Sequence, residues 1–146
     1  MKANELMIGD WVKFIIGYKR IQEIAGDCVW FEDSNSLFPC KVKRIEPISI
    51  TAEILEKNGF KIVHGFGHSE SYPTYGWCYH KGLRDYASVD VTFYDEPIGG
   101  VSRLVKMETA SKKDDGINSI HSCDIEFIHQ LQHALRLCGI EKEIEL

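Results

Sequence analysis

His64, His68, Cys78 and His80 fall within 17 residues, spaced as His-x3-His and then Cys-x-His. All four side chains are zinc-competent, since zinc takes nitrogen and sulfur donors in a tetrahedral array. On a strand, Cys78 and His80 would share one face, because side chains alternate with a period of two. A small metal-dependent enzyme built on these four residues is therefore one function to weigh. Against it, the stretch between them, GHSESYPTYG, reads as a loop, and the spacing matches no established zinc motif. Cys78 with His80 also has the composition of a thiol nucleophile and its base, which requires that the two meet in space.

A second histidine pair, His129 and His133, lies four residues apart near the C-terminus, a spacing that can chelate a metal from one helix face. The helical metalloprotease pattern places Glu directly after the first His, and here that position is Gln130. A helical wheel sets both histidines opposite the Phe127/Leu131/Leu135 stripe and beside Glu126 and Arg136, which predicts a solvent-facing pair. The chain has no dinucleotide or phosphate glycine loop and no nucleophile elbow. Asp85, Asp90, Asp95 and Glu96 stand in turn and strand contexts that pair no two carboxylates for acid–base work. The expectation is a protein that is not an enzyme and needs no cofactor.

Recognition chemistry is better represented. Tyr72, Tyr75, Trp77, Tyr79 and Tyr86 make the middle of the chain rich in aromatic side chains. Exposed, they would offer a large rigid contact at low entropy cost, so they are the candidate binding residues. The competing expectation is that they pack a sheet. Lys41, Lys43 and Arg44 form a short basic strip, although Lys41 and Lys43 alternate about Val42 as on any solvated strand. Net charge is −5, with seven Lys/Arg against seven Asp/Glu in residues 1–50 and ten against fifteen thereafter. That balance disfavours broad binding to nucleic acid, which depends on neutralising phosphates, but leaves room for a local basic surface.

The elements that must position these residues can be read from period and punctuation. Residues 10–48 are a run of short strands, 11–16, 20–24, 28–32 and 37–45, separated by Gly17-Tyr18, Gly26-Asp27 and the polar Asp33–Ser36. So many strands in about 40 residues predict a small, bent SH3-like β-barrel over 1–48. Thr51 can cap a short helix over 52–58, with Gly59 as its stop. Strands are predicted over 60–63, 77–80, 88–94 and 101–107, the last two joined as a hairpin through Glu96-Pro97-Ile98-Gly99-Gly100, and 110–118 reads as a polar loop.

The C-terminus is the most sharply patterned segment. Ser122 or Asp124 can cap an amphipathic helix over 123–138, in which Phe127, Ile128, Leu131, Ala134, Leu135 and Cys138 form one stripe. Gly139 and Ile140 suit a left-handed stop with its hydrophobic partner. The period then becomes two, with Ile140, Lys142, Ile144 and Leu146 opposite Glu141, Glu143 and Glu145, which predicts a closing strand. The fold expected is α+β: the barrel over 1–48, then a domain over 49–146 in which a small antiparallel sheet is packed by the terminal helix and closed by the last strand.

A chain of 146 residues suits one ordinary domain or two very small ones. No apolar run approaches the ~20 residues that span a bilayer, and the N-terminus lacks a signal-peptide core. Five cysteines without framework spacing (28, 40, 78, 123, 138) read as reduced thiols, placing the protein in the cytoplasm.

The stretches MKANELMIGDWV, EPISITAEILEKNGF and SIHSCDIEFIHQLQHALRLCGIEKEIEL together resemble a family of small proteins encoded in Bacteroidales genomes, often in prophages and other mobile elements. The resemblance covers the two ends and the joint around 46–60. It implies a bacterial or phage cytoplasmic setting and supplies no catalytic residues. The leading expectation is a non-enzymatic interaction module that binds a host or phage protein. The alternatives are a nucleic-acid binder that uses the barrel and the metal-dependent enzyme above. A homo-oligomer is compatible with the sequence, and a membrane is not expected.

Overall fold

A computed structural model describes residues 1–15, 17–32, 38–63, 73–82, 85–98, 101–111, 114–123, 125–140 and 142–146. The described residues form two five-stranded antiparallel sheets and two α-helices, an α+β architecture.

The first sheet contains β1 (Trp11–Phe14), β2 (Tyr18–Ala25), β3 (Cys28–Phe31), β4 (Cys40–Lys41) and β5 (Ile45–Glu46). Its order is β4-β3-β2-β1-β5, so the chain runs as a meander and then folds β5 back against β1, and the ladder stays open. The anticipated single strand over 37–45 is interrupted by a 3-10 turn at Val42–Arg44 that buries Val42 and leaves Lys43 and Arg44 outside. Leu6, Val12, Ile21, Val29, Phe31, Val42 and Ile45 are the buried side chains of this sheet.

The second sheet contains β6 (Lys61–Ile62), β7 (Thr74–Gly82), β8 (Asp85–Ile98), β9 (Val101–Ser111) and β10 (Asp114–Cys123), in the order β10-β9-β8-β7-β6. Within β7–β10 the described side chains are Thr74–Tyr79, Ala87–Tyr94, Val105 and Lys106. The hairpin expected over 88–107 is present and longer. The polar segment 110–118 is not a loop, because β10 pairs along β9 from Asp114 to Cys123. Pairing with a neighbour already in place satisfies its backbone groups despite weak strand propensity.

Helix α1 (Ala52–Lys57) starts at Thr51, whose hydroxyl accepts the Ile54 N–H, and stops at Gly59 with φ +79°. Helix α2 (Ile128–Leu137) ends as anticipated, with Gly139 at φ +67° and the Ile140 N–H bonded back to the Leu135 carbonyl. Its start lies well beyond Ser122 and Asp124. Residues up to Cys123 belong to β10, and the first turn is closed by Gln130, whose Oε1 accepts the N–H groups of Glu126 and Phe127 at 3.0 and 3.1 Å. Just before α2, the Ile50 N–H bonds to the Glu126 carbonyl and the Ile128 N–H to the Ile48 carbonyl. The link out of the first sheet is thereby stitched to the start of α2.

The C-terminal strand does not form. Residues 142–146 join no ladder, yet Ile140 and Ile144 are buried while Glu143 and Glu145 are exposed, so the period-two pattern specifies burial alone. The side chain of Asn58 takes the place of a neighbouring strand. Its Oδ1 accepts the Glu145 N–H at 2.8 Å, and its Nδ2 donates to the Glu145 carbonyl at 2.7 Å. Ile48, Ile50, Leu55, Phe60, Tyr75, Val89, Val91, Val105, Ile128, Leu131, Leu135, Ile140 and Ile144 make a second core between this tail, the helices and the second sheet. Among the described residues no helix is long and apolar enough to cross a membrane.

Candidate functional site

The aromatic residues of the middle segment separate by position along β7. Tyr75, Trp77 and Tyr79 share one face at two-residue intervals. Tyr75 is buried edge-on against Phe93 at 5.6 Å, and burial raises its phenol pKa. Trp77 packs at the margin of the core, tilted against Phe60, with the Lys142 Nζ 5.3 Å above its ring. Burial lowers the pKa of that ammonium, with the Glu145 carboxylate opposing. Tyr79 lies open. Tyr72 and the side chain of Tyr86 lie outside the described residues. The column is therefore a core that surfaces only at Tyr79, and two of the five expected binding residues are engaged by the fold.

His64 and His68 also lie outside the described residues, as does the side chain of His80. Cys78 is exposed on β7, and partial desolvation, then the Asp90 carboxylate, raises its thiol pKa. Among the described residues no group of three or more His, Cys, Asp or Glu is placed to hold a metal ion.

The terminal histidines overturn the solvent-facing expectation. His129 is only 3% exposed, with its ring stacked on Phe127 at a 7° interplanar angle. Its pKa is lowered, first by burial, with the carboxylates of Asp10 and Glu5 opposing. The wheel failed because α2 is covered on two sides. Ile128, Leu131 and Leu135 face the second core, while the flank with His133 and Arg136 meets the turn ahead of β1.

That turn holds Asp10, which is fully buried. Its carboxylate accepts the Met7 N–H at 2.7 Å and the His133 Nε2–H at 2.8 and 2.9 Å, with the Arg136 Nη1 at 3.5 Å. A carboxylate only accepts, so Nε2 carries the proton in this contact. Arg20 reaches the same turn through the Gly9 carbonyl at 3.1 Å and pairs with Glu143 of the tail at 2.8 Å. Gly9 has φ +86°, and a Cβ there would sit 3.1 Å from the Arg136 guanidinium. The group clamps the first sheet to α2 and the tail, and it has the form of a structural joint. Sequence reasoning saw Gly9-Asp10 as a turn and His133/Arg136 as neighbours, but no local signal linked residues 123 apart.

Two recesses lie on the first sheet. One, of about 570 Å³, is lined by Lys13, Phe14, Ile15, Lys43, Arg44 and Glu46. A second, of about 250 Å³, is lined by Phe14, Lys19, Val29, Trp30, Phe31, Phe38, Pro39, Cys40 and Arg44. Phe14 and Arg44 line both, so the two are neighbours, a basic recess and an aromatic one on either side of a shared wall. Phe14 is braced on Phe31 at 5.2 Å, and Phe38 is 82% exposed. Lys13 pairs with Glu46 at 3.2 Å in an exposed contact, and Lys43 and Arg44 make no ion pair among the described residues. The Lys41 expected in the basic strip is turned away, bound to Asp27 at 2.9 Å, and that contact lowers the Asp27 pKa. Ile15, at the rim, holds φ +50° and is 76% exposed, a costly conformation for a β-branched residue. Comparison with protein-family models, with curated proteins and with solved structures returned no match.

Proposed function

We propose that the protein is a non-enzymatic interaction module whose recognition surface is the groove bordered by Phe14 and Arg44, and that its partner is a protein. The carrying observation is that a cation-lined recess and an aromatic-lined one share Phe14 and Arg44 on a single sheet, a combination suited to holding an extended segment laid across both. The β5 return against β1 and the 3-10 turn before it support reading this sheet as an SH3-like barrel. The resemblance at the chain ends supports a phage or mobile-element protein working in the bacterial cytoplasm.

A photo-crosslinking amino acid in place of Phe38 tests the reading in bacterial cells. Discrete protein adducts should form there, vanish when Arg44→Glu is added, and be missing when the probe replaces Leu137, which is 85% exposed on α2. Equal adducts from both positions would refute the assignment.

A second reading, nucleic-acid binding by the same sheet, is favoured by the gathering of Lys13, Lys43 and Arg44 around one cleft. Adducts that disappear on nuclease treatment would select it.

A further inference from the structure

Building on the interaction-module reading, we infer that the groove's occupant is an acidic linear segment of the partner protein, bound with its carboxylates at the basic end and an aromatic or proline side chain in the aromatic end. The walls carry Lys13, Lys19, Lys43 and Arg44 against the single carboxylate of Glu46. The Arg44 guanidinium lies where both recesses meet, and its planar fork pairs with a carboxylate through two parallel hydrogen bonds. Next to it, Phe14, Trp30, Phe31 and Phe38 make an apolar seat for a flat side chain. Successive side chains on one face of an extended segment repeat every ~6.8 Å, which lets one segment reach both ends.

Charge selects the class of occupant. The two recesses gather four cations against one carboxylate, while residues 51–146 carry ten Lys/Arg against fifteen Asp/Glu. A nucleic acid carries a charge at every phosphate and would have to be held by a chain whose own net charge is −5. A short acidic segment places its charge only where the cations are. The strained, exposed Ile15 at the rim adds an apolar contact that the isolated fold does not need.

The test is fluorescence anisotropy with three labelled probes: a 12-residue peptide of repeating glutamate-glutamate-tyrosine, the matching lysine-lysine-tyrosine peptide, and a 12-nucleotide oligo-dT. The acidic peptide should bind, weaken as salt is raised, and lose roughly 10-fold or more with Lys43→Glu/Arg44→Glu, while the basic peptide does not bind. Phe38→Ala, on a side chain that is 82% exposed, should weaken the acidic peptide several-fold while the circular-dichroism spectrum stays that of the folded protein. Binding of oligo-dT in preference to the acidic peptide would overturn the acidic-segment assignment. So would an acidic peptide whose affinity ignores both variants. If no probe binds while Arg44-dependent protein adducts still form at position 38, the occupant is wrong and the module stands. If those adducts fail too, both fall.

Discussion

Replacing Asp10 should loosen the joint between the first sheet and α2 by an amount that the geometry bounds. Asp10→Ala removes the acceptor for three donors at once: the Met7 N–H, the His133 imidazole and, more distantly, the Arg136 guanidinium. Removing one member of a fully buried charge set costs about 3–5 kcal/mol, because its partners are left dry and unpaired. Here the His133 and Arg136 side chains keep 20% and 33% of their exposure, so water recovers part of that loss. The expected destabilisation is about 2–3 kcal/mol. For a chain of this size it corresponds to a fall of roughly 6–12 °C in melting temperature. Urea unfolding followed by tryptophan fluorescence measures it well, since Trp11 adjoins the turn and packs against the second core. Asp10→Asn keeps an acceptor but turns an amide N–H₂ toward other donors, so about half the loss should remain. A double-mutant cycle with His133→Ala should give a coupling of at least about 1 kcal/mol. Additive effects, or an Asp10→Ala loss below about 0.5 kcal/mol, would refute the clamp as a source of stability.

Three further outcomes follow from single residues. Burial holds the His129 pKa below its ordinary 6.5, so the unfolded chain binds a proton more readily; stability is fully present above about pH 6.5 and is lost as pH falls toward the folded value. The unfolding free energy should drop by at most about 1.4 kcal/mol per pH unit in that window, and His129→Leu, which also removes a buried Nδ1 with no hydrogen-bond partner among the described residues, should flatten the wild-type slope there. Ile15→Asn should stabilise by about 0.5–1 kcal/mol in urea titrations, because Asn tolerates the φ of +50° that Ile15 holds at the surface; a loss would show that the side chain is needed in the fold. Asn58→Ala removes both bonds to Glu145 and one to Ile54, so hydrogen exchange over 142–146 should accelerate and stability fall by about 2 kcal/mol, and unchanged exchange would exclude Asn58 as the anchor of the tail.

What could be read from the residues was local. Gly59 and Gly139 stop their helices as their neighbours imply, and the alternation from Ile140 to Leu146 correctly ranks which side chains are buried. The pairings were not legible, because they rest on partners far away in sequence. The tail was expected to add a strand, but its backbone bonds go to Asn58, and no periodicity reveals a side chain standing in for a strand. The α2 wheel identified one covered side and missed the second, which depends on where the Gly9-Asp10 turn lands. Of the anticipated basic strip, Lys43 and Arg44 reach the groove and Lys41 does not, because the 3-10 turn at Val42–Arg44 breaks the strand that would have aligned all three.

The two halves of the molecule meet in β1, and this bears on how the groove can work. Trp11 packs against the second core, Val12 is buried in the first, and Phe14 stands in the groove wall. Asp10 immediately precedes the strand, and Phe14 stands four residues further on, about 14 Å along extended chain from the clamped residue. A strand pinned at its start by His133 and Arg136, paired with β2 over Trp11–Lys13 and with β5 at Lys13 and Phe14, has little freedom to shift at its end. On the proposed reading the groove is pre-organised, which would lower the ordering cost of binding and confine it to the partner. The clamp would then support the proposed recognition without touching the ligand. Loosening it with Asp10→Asn should weaken the acidic peptide less than Lys43→Glu/Arg44→Glu does, and equal losses would mean that Asp10 acts by holding the whole fold and not by setting the groove wall.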